Sequence, residues 1–306
     1  MNAVDHRLLE QRAGHGGIVN GLSVDVEDWF QVGAFESVID RLDWPDLDDR
    51  VDRNVRQILD LFDRAGHKAT FFTLGWVAAR HGPLLREICD RGHEIASHGW
   101  DHERVFRMTP ASFAEDIRRT RQVLEDASGC QVAGYRAPSF SIDARTPWAF
   151  DVLAEQGYSY SSSVAPIRHD HYGWADAPRF AFRPLAGSDL IELPVTTAMF
   201  RGRRMAAGGG GFFRVLPYAF SRWAIRQVNR VEHRPAIFYF HPWEIDPGQP
   251  RVSRAPLRSR LRHYTNLKGM SGKLEGLLAE FAWGRMDVLA QREAMRLRAG
   301  GADASP

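Results

Sequence analysis

The chain has 306 residues, 44% of them hydrophobic and 25% charged, with 40 basic and 38 acidic side chains for a net charge of +2. That length and apolar content can bury one large core or two modest ones. The near-balance of charge excludes a bulk field directed at nucleic acid or lipid.

Residues 1–17 are polar and aperiodic and read as a flexible tail. They hold no apolar stretch of the kind a secretory signal needs, so cytoplasmic residence is the expectation. Ile18–Val26 is an apolar run that reads as a strand, with Asp25, Glu27 and Asp28 at its end. Val51–Arg64 sets Val51, Val55, Ile58, Leu59 and Phe62 on one face of a helix stopped by Gly66. Ala69–Leu74 is a strand, Pro83–Asp90 a helix and Glu94–Ser97 a strand, which leads into His98 and His102. Thr109 caps a helix that runs to Ala127, with Pro110 at its first position. Val132–Tyr135 is the next strand, and Thr146–Gln156 is a helix closed by Gly157. Ser159–Ser163 and Leu190–Val195 read as strands, Pro217–Val231 as a helix, and Ala236–Phe240 as a buried strand. Residues 251–292 form a C-terminal helical extension, and 293–306 a second flexible tail.

Cys89 and Cys130, far apart in sequence, supply no disulfide framework. No run approaches the ~18 apolar residues of a transmembrane segment. From Arg201 to Arg262 the chain is locally basic, but its arginines are dispersed among aromatics and prolines. That pattern suits a solvated or substrate-facing surface rather than a nucleic-acid groove. The alternation of strands and helices predicts an α/β fold with parallel strands and right-handed crossovers. A count of about seven strands favours a distorted barrel over an open sheet.

In α/β barrels, reactive groups gather where strands end. Asp25, Glu27 and Asp28, then His98 and His102, then Arg136, then His241 all fall just beyond strand-like runs. Two imidazoles and a carboxylate are the parts of a three-ligand divalent metal site that keeps room for water. A spare carboxylate beside them can serve as general base. The dipeptide His93-Glu94 does not make a zinc protease, because that motif needs HExxH on one helix face. Here His93 and His98 are five apart and the intervening residues read as strand.

Over residues 18–245 these motifs resemble the NodB-type polysaccharide deacetylases, carbohydrate esterase family 4. Asp25-Val26-Glu27 resembles the aspartate motif, in the variant whose two acids are separated by one residue. His98-Gly-Trp-Asp-His102 resembles the HxxxH motif, with Gly92-His93-Glu94-Ile95 as its lead-in. Tyr135-Arg136-Ala137-Pro138 resembles the arginine motif, residues 156–163 the Gly-Tyr strand, and Phe240-His241-Pro242-Trp243 the terminal histidine motif. Val24–Phe30, Gly208–Gly211 before Phe212-Phe213-Arg214, and His241–Glu244 are similar to one bacterial branch that accompanies exopolysaccharide loci and the exosortase/PEP-CTERM system.

The resemblance implies a distorted (β/α)7-type barrel over residues 18–250, with family-specific insertions in 196–250. It implies a hydrolase that removes N-acetyl groups from amino sugars of a bacterial exopolysaccharide or its precursor, in association with the exopolysaccharide assembly machinery. Asp25 would be the base, His98 and His102 metal ligands, His241 the acid, Arg136 the partner of Asp25, and the Ser139 N–H an oxyanion donor. Many members carry two adjacent aspartates, the second on the metal, but Val26 occupies that place here. In an extended segment Asp25 and Glu27 share a face, so Glu27 is the preferred third ligand. Asp28 is the alternative if the chain turns sharply. Zinc suits such a site, and cobalt or nickel fit the same donors.

Two other functions use the same parts: an allantoinase-like amidohydrolase for a small amide, and a catalytically inactive carbohydrate-binding relative. Gly208–Gly211 reads as a mobile loop over substrate or as a plain connector. Trp29, Trp100, Trp174 and Trp243 suit a sugar-facing wall or core packing. His169, His171 and His233, with Arg179, Arg183, Arg203 and Arg204, read mainly as surface.

Overall fold

The computed structural model describes residues 17–168 and 173–302. The tail expected over residues 1–17 therefore lies outside the described residues except for Gly17, as do His169 and His171. In chain order the main elements are β1 (Asn20–Val26), α1 (Val51–Ala65), β2 (Thr70–Thr73), α2 (Gly75–Ala78), α3 (Gly82–Asp90), β3 (Glu94–Ser97), α4 (Pro110–Ser128) and β4 (Gly134–Tyr135). There follow α5 (Trp148–Glu155), β5 (Tyr160–Ser161), β6 (Ile191–Glu192), the hairpin β7 (Thr197–Phe200) and β8 (Arg203–Ala206), α6 (Gly210–Val215) and α7 (Tyr218–Arg226). The chain ends with β9 (Ile237–Phe240), α8 (Leu257–Tyr264), α9 (Met270–Glu280), β10 (Trp283–Gly284) and α10 (Met286–Ala302).

β1 is buried along its whole length and is the hub of the sheet. It pairs in parallel with β2 and with β9, and β3 to β6 continue outward from β2 in sequence order, also in parallel. β10 joins the start of β1. Among the described residues β6 and β9 share no ladder, and the segments around Thr196 and Gly208 bond to β9 on that side. The Thr196 N–H donates to Ile237 O at 3.4 Å, and the Tyr239 N–H donates to Gly208 O at 2.8 Å. This is the distorted α/β barrel that the strand–helix alternation predicts.

Local chemistry sets the helix ends. Gly66, at φ 68°, terminates α1 in the left-handed conformation that costs glycine nothing. Thr109 and Ser112 form a capping box at the start of α4. The apolar stripe of α1, with Val55, Ile58, Leu59 and Phe62 all fully buried, packs into the main core. The helix expected over Pro217–Val231 is α-helical to Arg226 and then widens into a π turn over Gln227–Val231.

Three parts of the chain depart from expectation. Gly208–Gly210 is a buried seam of the barrel, not a mobile loop: a Cβ on Gly208 would stand 2.3 Å from Ile237 O, and one on Gly210 would stand 2.0 Å from Glu244 Oε2. Residues 251–292 are helical in α8 and α9, but they also return β10 to the central sheet. Of the expected tail over residues 293–306, residues 293–302 belong to α10, whose Met286, Leu289 and Ala290 pack against Phe72, Tyr160 and Ile237, and residues 303–306 lie outside the described residues.

His93 directly precedes β3, at the opposite end of the strand from His98, with its ring 5.8 Å from Phe62 and 5.2 Å from Phe71. Its Nδ1 accepts the Ala69 N–H at 3.1 Å. Burial pushes its pKa down to about 3. The unfolded chain takes up a proton there below its ordinary pKa of ~6.5 and the folded chain does not, so stability falls as pH drops through that value. The expected loss from His93 is about 2 kcal/mol at about pH 5. His93→Gln, which keeps an acceptor, should flatten the pH dependence of the denaturation midpoint by that amount. An unchanged slope would show that the ring protonates in the folded state.

Candidate active site

The C-terminal ends of β1, β3, β4 and β9 deliver the side chains that the motifs single out. Arg136, immediately after β4, is fully buried. Its Nη1 donates to Asp25 Oδ1 at 2.6 Å and to Ser23 Oγ at 2.8 Å. Nε donates to Ser162 O at 3.0 Å and Nη2 to Ser162 Oγ at 2.9 Å. The guanidinium is thus satisfied by the barrel wall and holds one oxygen of a buried carboxylate in place. A charge-assisted bond of this kind fixes the orientation of Asp25.

Glu27, His98 and His102 each offer a ligand atom, and the three atoms lie within 4.8 Å of one another. His98 Nδ1 lies 2.9 Å from Arg136 O. A carbonyl only accepts, so Nδ1 carries the proton and Nε2 is the free lone pair. His102 adopts φ 63°, a conformation uncommon outside glycine, and its Nε2 lies 2.9 Å from Glu27 Oε2. That oxygen is buried and receives no hydrogen bond of proper geometry. An orphaned buried carboxylate oxygen beside two imidazoles fits a cation. Burial alone would raise the Glu27 pKa, but the His102 and His241 rings beside it bring it down to about 2. Burial, helped by His102, lowers His98 to about 4, so the ring stays neutral and able to ligate at ordinary pH.

Asp28, the alternative ligand, is turned away. Its oxygens accept the Trp29 N–H at 2.7 Å, the Arg50 N–H at 2.6 Å and the Val51 N–H at 2.9 Å. It ties the segment after β1 to the start of α1, where exposed helix N–H groups favour an acid.

His241 follows β9 with its side chain 19% exposed, and its Nε2 lies 3.5 Å from Glu27 Oε1. Its backbone N–H and its Nδ1 both face Glu244 Oε2, at 3.0 and 3.2 Å. Burial opposes protonation of the ring, but Glu27 and Glu244 outweigh it and raise the pKa to about 9. Glu244 is itself held by Arg214, whose Nε donates to Oε1 at 2.7 Å. The remaining Arg214 N–H groups donate to the carbonyls of Arg262, His263 and Thr265. Neither Glu244 nor Arg214 is among the sequence-derived site residues. The i,i+3 spacing of His241 and Glu244 around Pro242 is a capping-box signal that points to Glu244, whereas nothing local marks Arg214.

Ser139 sits half-buried on the turn Pro138–Phe140, two residues past Ala137, with φ 55°. Trp29 is buried and donates to Asp48 O at 2.9 Å, so it is core. Trp243 is a buried site wall, stacked on His241 at 5.1 Å and within 3.3 Å of Glu27 Oε1 through Nε1. Trp100 is half-buried under the Arg119 guanidinium at 3.4 Å, and Trp174 packs on the core. Arg179 holds the Thr197 carbonyl of β7 and pairs with Glu232, Arg204 holds the Ala175 carbonyl, Arg183 pairs with Asp189, and Arg203 and His233 are exposed.

Comparison with known proteins separates the chain into two matched parts. Residues 46–161 match the polysaccharide deacetylase family, and residues 162–291 match a domain of unknown function (DUF3473). The first part contains His98, His102, Arg136 and Ser139. The second contains His241, Glu244 and Arg214 and contributes β6, β9 and β10 to the same sheet. A peptidoglycan deacetylase from Helicobacter pylori is 26% identical over 110 residues, 36% of this chain and 36% of that protein. A chitooligosaccharide deacetylase from a Bradyrhizobium strain is 28% identical over 145 residues, 47% of this chain and 59% of that protein. The chain therefore matches less than two thirds of these relatives' length.

Among solved structures, Puue allantoinase superposes with a TM-score of 0.60 at 14% identity, covering 91% of this chain and 90% of that one. A Mycobacterium smegmatis protein assigned to the polysaccharide deacetylases superposes at 0.56 and 19% identity, covering 93% and 92%. Identities this low establish the shared fold alone. The family match and the relatives agree: residues 46–161 are similar to the polysaccharide deacetylases.

Proposed function

We propose that the chain is a metal-dependent hydrolase that removes N-acetyl groups from amino sugars of a bacterial exopolysaccharide or its precursor. The observation that carries this reading is one of geometry. A His–His–Glu cluster, an arginine-held carboxylate and a carboxylate-backed histidine converge from separate strand ends. A binding module has no use for a base and an acid placed on either side of a ligand cluster.

Glu27, His98 and His102 would hold a divalent cation, zinc first, with cobalt or nickel as alternatives. When bound, it polarises the amide carbonyl and acidifies water. Asp25, oriented by Arg136, accepts the proton of the attacking water. The Ser139 N–H donates to the oxygen on which negative charge develops. His241, protonated and held through Nδ1 by Glu244, donates from Nε2 to the departing amine. His241→Ala should lower turnover about 10²–10⁴-fold with metal content unchanged; unaltered turnover would remove it as the acid.

The relatives named for peptidoglycan and chitooligosaccharide deacetylation support an N-acetylated glycan as substrate. The fold likeness to an allantoinase keeps a second reading, hydrolysis of a small cyclic amide. Purified protein supplied with zinc and offered both substrates separates the two. Release of acetate from N-acetylglucosamine oligomers with allantoin left intact is the expected result. Opening of allantoin without acetate release would replace the glycan reading.

A further inference from the structure

The chain is nearly neutral overall, but residues 247–268 contain Arg251, Arg254, Arg258, Arg260, Arg262 and Lys268 and no acid. α8 runs through the middle of this stretch. Its inner side is packed: His263 is buried and stacks on Trp243 at 4.1 Å, and Tyr264 lies 6.0 Å from Phe35. Its outer side carries Leu257 and Leu261, 67% and 59% exposed, each followed by an exposed arginine. The i,i+4 spacing sets Leu257 and Leu261 on one face, with Arg258 and Arg262 as their flank.

Among the described residues, none of the six cations pairs with a carboxylate. Arg251 lies over the Tyr264 ring at 4.3 Å, and Arg260 reaches Ser253 O at 3.4 Å. The result is an outward face of unneutralised positive charge with two large apolar side chains set in it.

We propose that this face docks on an anionic phospholipid surface, with Leu257 and Leu261 entering the headgroup region and the arginines meeting lipid phosphates. Charge complementarity selects a polyanion, and the leucines select among polyanions. A nucleic acid or acidic glycan would use the arginines and gain nothing from exposed leucine, whereas alternating cations and leucines are the make-up of interfacial helices. No helix among the described residues is long and apolar enough to cross a membrane, so contact through this helix would be peripheral. The face also adjoins the candidate site, since His263 stacks on Trp243 and Trp243 stacks on His241. A docked molecule would present its site beside the bilayer. The proposal does not depend on the deacetylase reading, because its readout is binding.

The test is co-sedimentation of the full chain with vesicles of phosphatidylcholine alone and of phosphatidylcholine mixed with phosphatidylglycerol. Binding to the mixed vesicles only, declining with added salt, is the expected result. Arg258→Gln and Arg262→Gln should each weaken it about five-fold, and Leu257→Ser with Leu261→Ser together about ten-fold. Acetate release from soluble oligomers should be the same in all variants. Absence of phosphatidylglycerol-dependent binding overturns the proposal. So does binding indifferent to both leucine substitutions, which would assign the arginines to a non-lipid polyanion.

Discussion

Asp25→Asn should reduce turnover by about 10²–10⁴-fold while the protein still binds its metal, whereas His98→Ala should lose both. The separation follows from which atoms each residue commits. Asp25 gives one oxygen to Arg136 Nη1 at 2.6 Å and is not part of the three-residue ligand cluster. Asparagine can still accept that hydrogen bond through its carbonyl oxygen, but it cannot take a proton from water. His98, by contrast, has its Nδ1 committed to Arg136 O, which leaves Nε2 as the atom available to a metal beside Glu27 and His102. Asn at position 25 also leaves the fully buried Arg136 without its counter-ion, so a lower melting temperature is expected alongside the catalytic loss. Metal content measured on folded protein separates the two effects. Equal metal loss in Asp25→Asn and His98→Ala would place Asp25 among the ligands and leave the reaction without its base.

Arg214→Leu should destabilise the fold by about 3–5 kcal/mol, the cost of stranding a buried carboxylate. Arg214 and Glu244 are 1% and 0% exposed in their side chains, and among the described residues the other cationic partner of Glu244 is His241. Burial would raise the Glu244 pKa, but Arg214 and then His241 bring it down to about 2. A carboxyl depressed in the folded state contributes stability above its unfolded value of ~4.5 and loses it as pH falls toward 2. Without Arg214 that contribution shrinks, so the variant should be less acid-sensitive although weaker at neutral pH. The same substitution frees the backbone of residues 262–265, which Arg214 now holds. Urea denaturation at neutral and acid pH reads both effects. A loss below about 1 kcal/mol would mean that the ion pair is worth no more than a surface one.

The elements that local chemistry defines were legible in the sequence. α1 shows its apolar stripe and its glycine stop, α4 its threonine cap and proline start, and β1 to β3 their apolar runs. The placement of His98, Arg136 and His241 followed from such runs, because each comes directly after the C-terminal end of a buried parallel strand. Strand alternation puts Glu27 on the face of Asp25, and in the fold its carboxylate lies beside His98 and His102. That Asp28 turns away was not legible, since its partners lie at Arg50 and Val51, more than twenty residues on.

What stayed hidden depends on contacts between distant segments. Two residues, Trp283 and Gly284, cannot announce a strand by periodicity; pairing with Asn20 and Gly21 at the start of β1 makes them one. Four consecutive glycines look mobile by composition, yet Gly208 and Gly210 are small because Ile237 O and Glu244 press against them. Arg214 resembles its many neighbouring arginines until the fold brings Glu244 to it. The tryptophans near the motifs invite a sugar-stacking role, but Trp29 and Trp243 have their rings buried.

The measurement that bears most directly on the site is acetate release from N-acetylglucosamine oligomers after chelation and again after adding back zinc or cobalt. Activity abolished by chelation and restored by either metal, in step with one metal bound per chain, is the predicted result. Acetate release that survives complete metal removal would contradict the assignment of Glu27, His98 and His102 as the ligands of a catalytic cation.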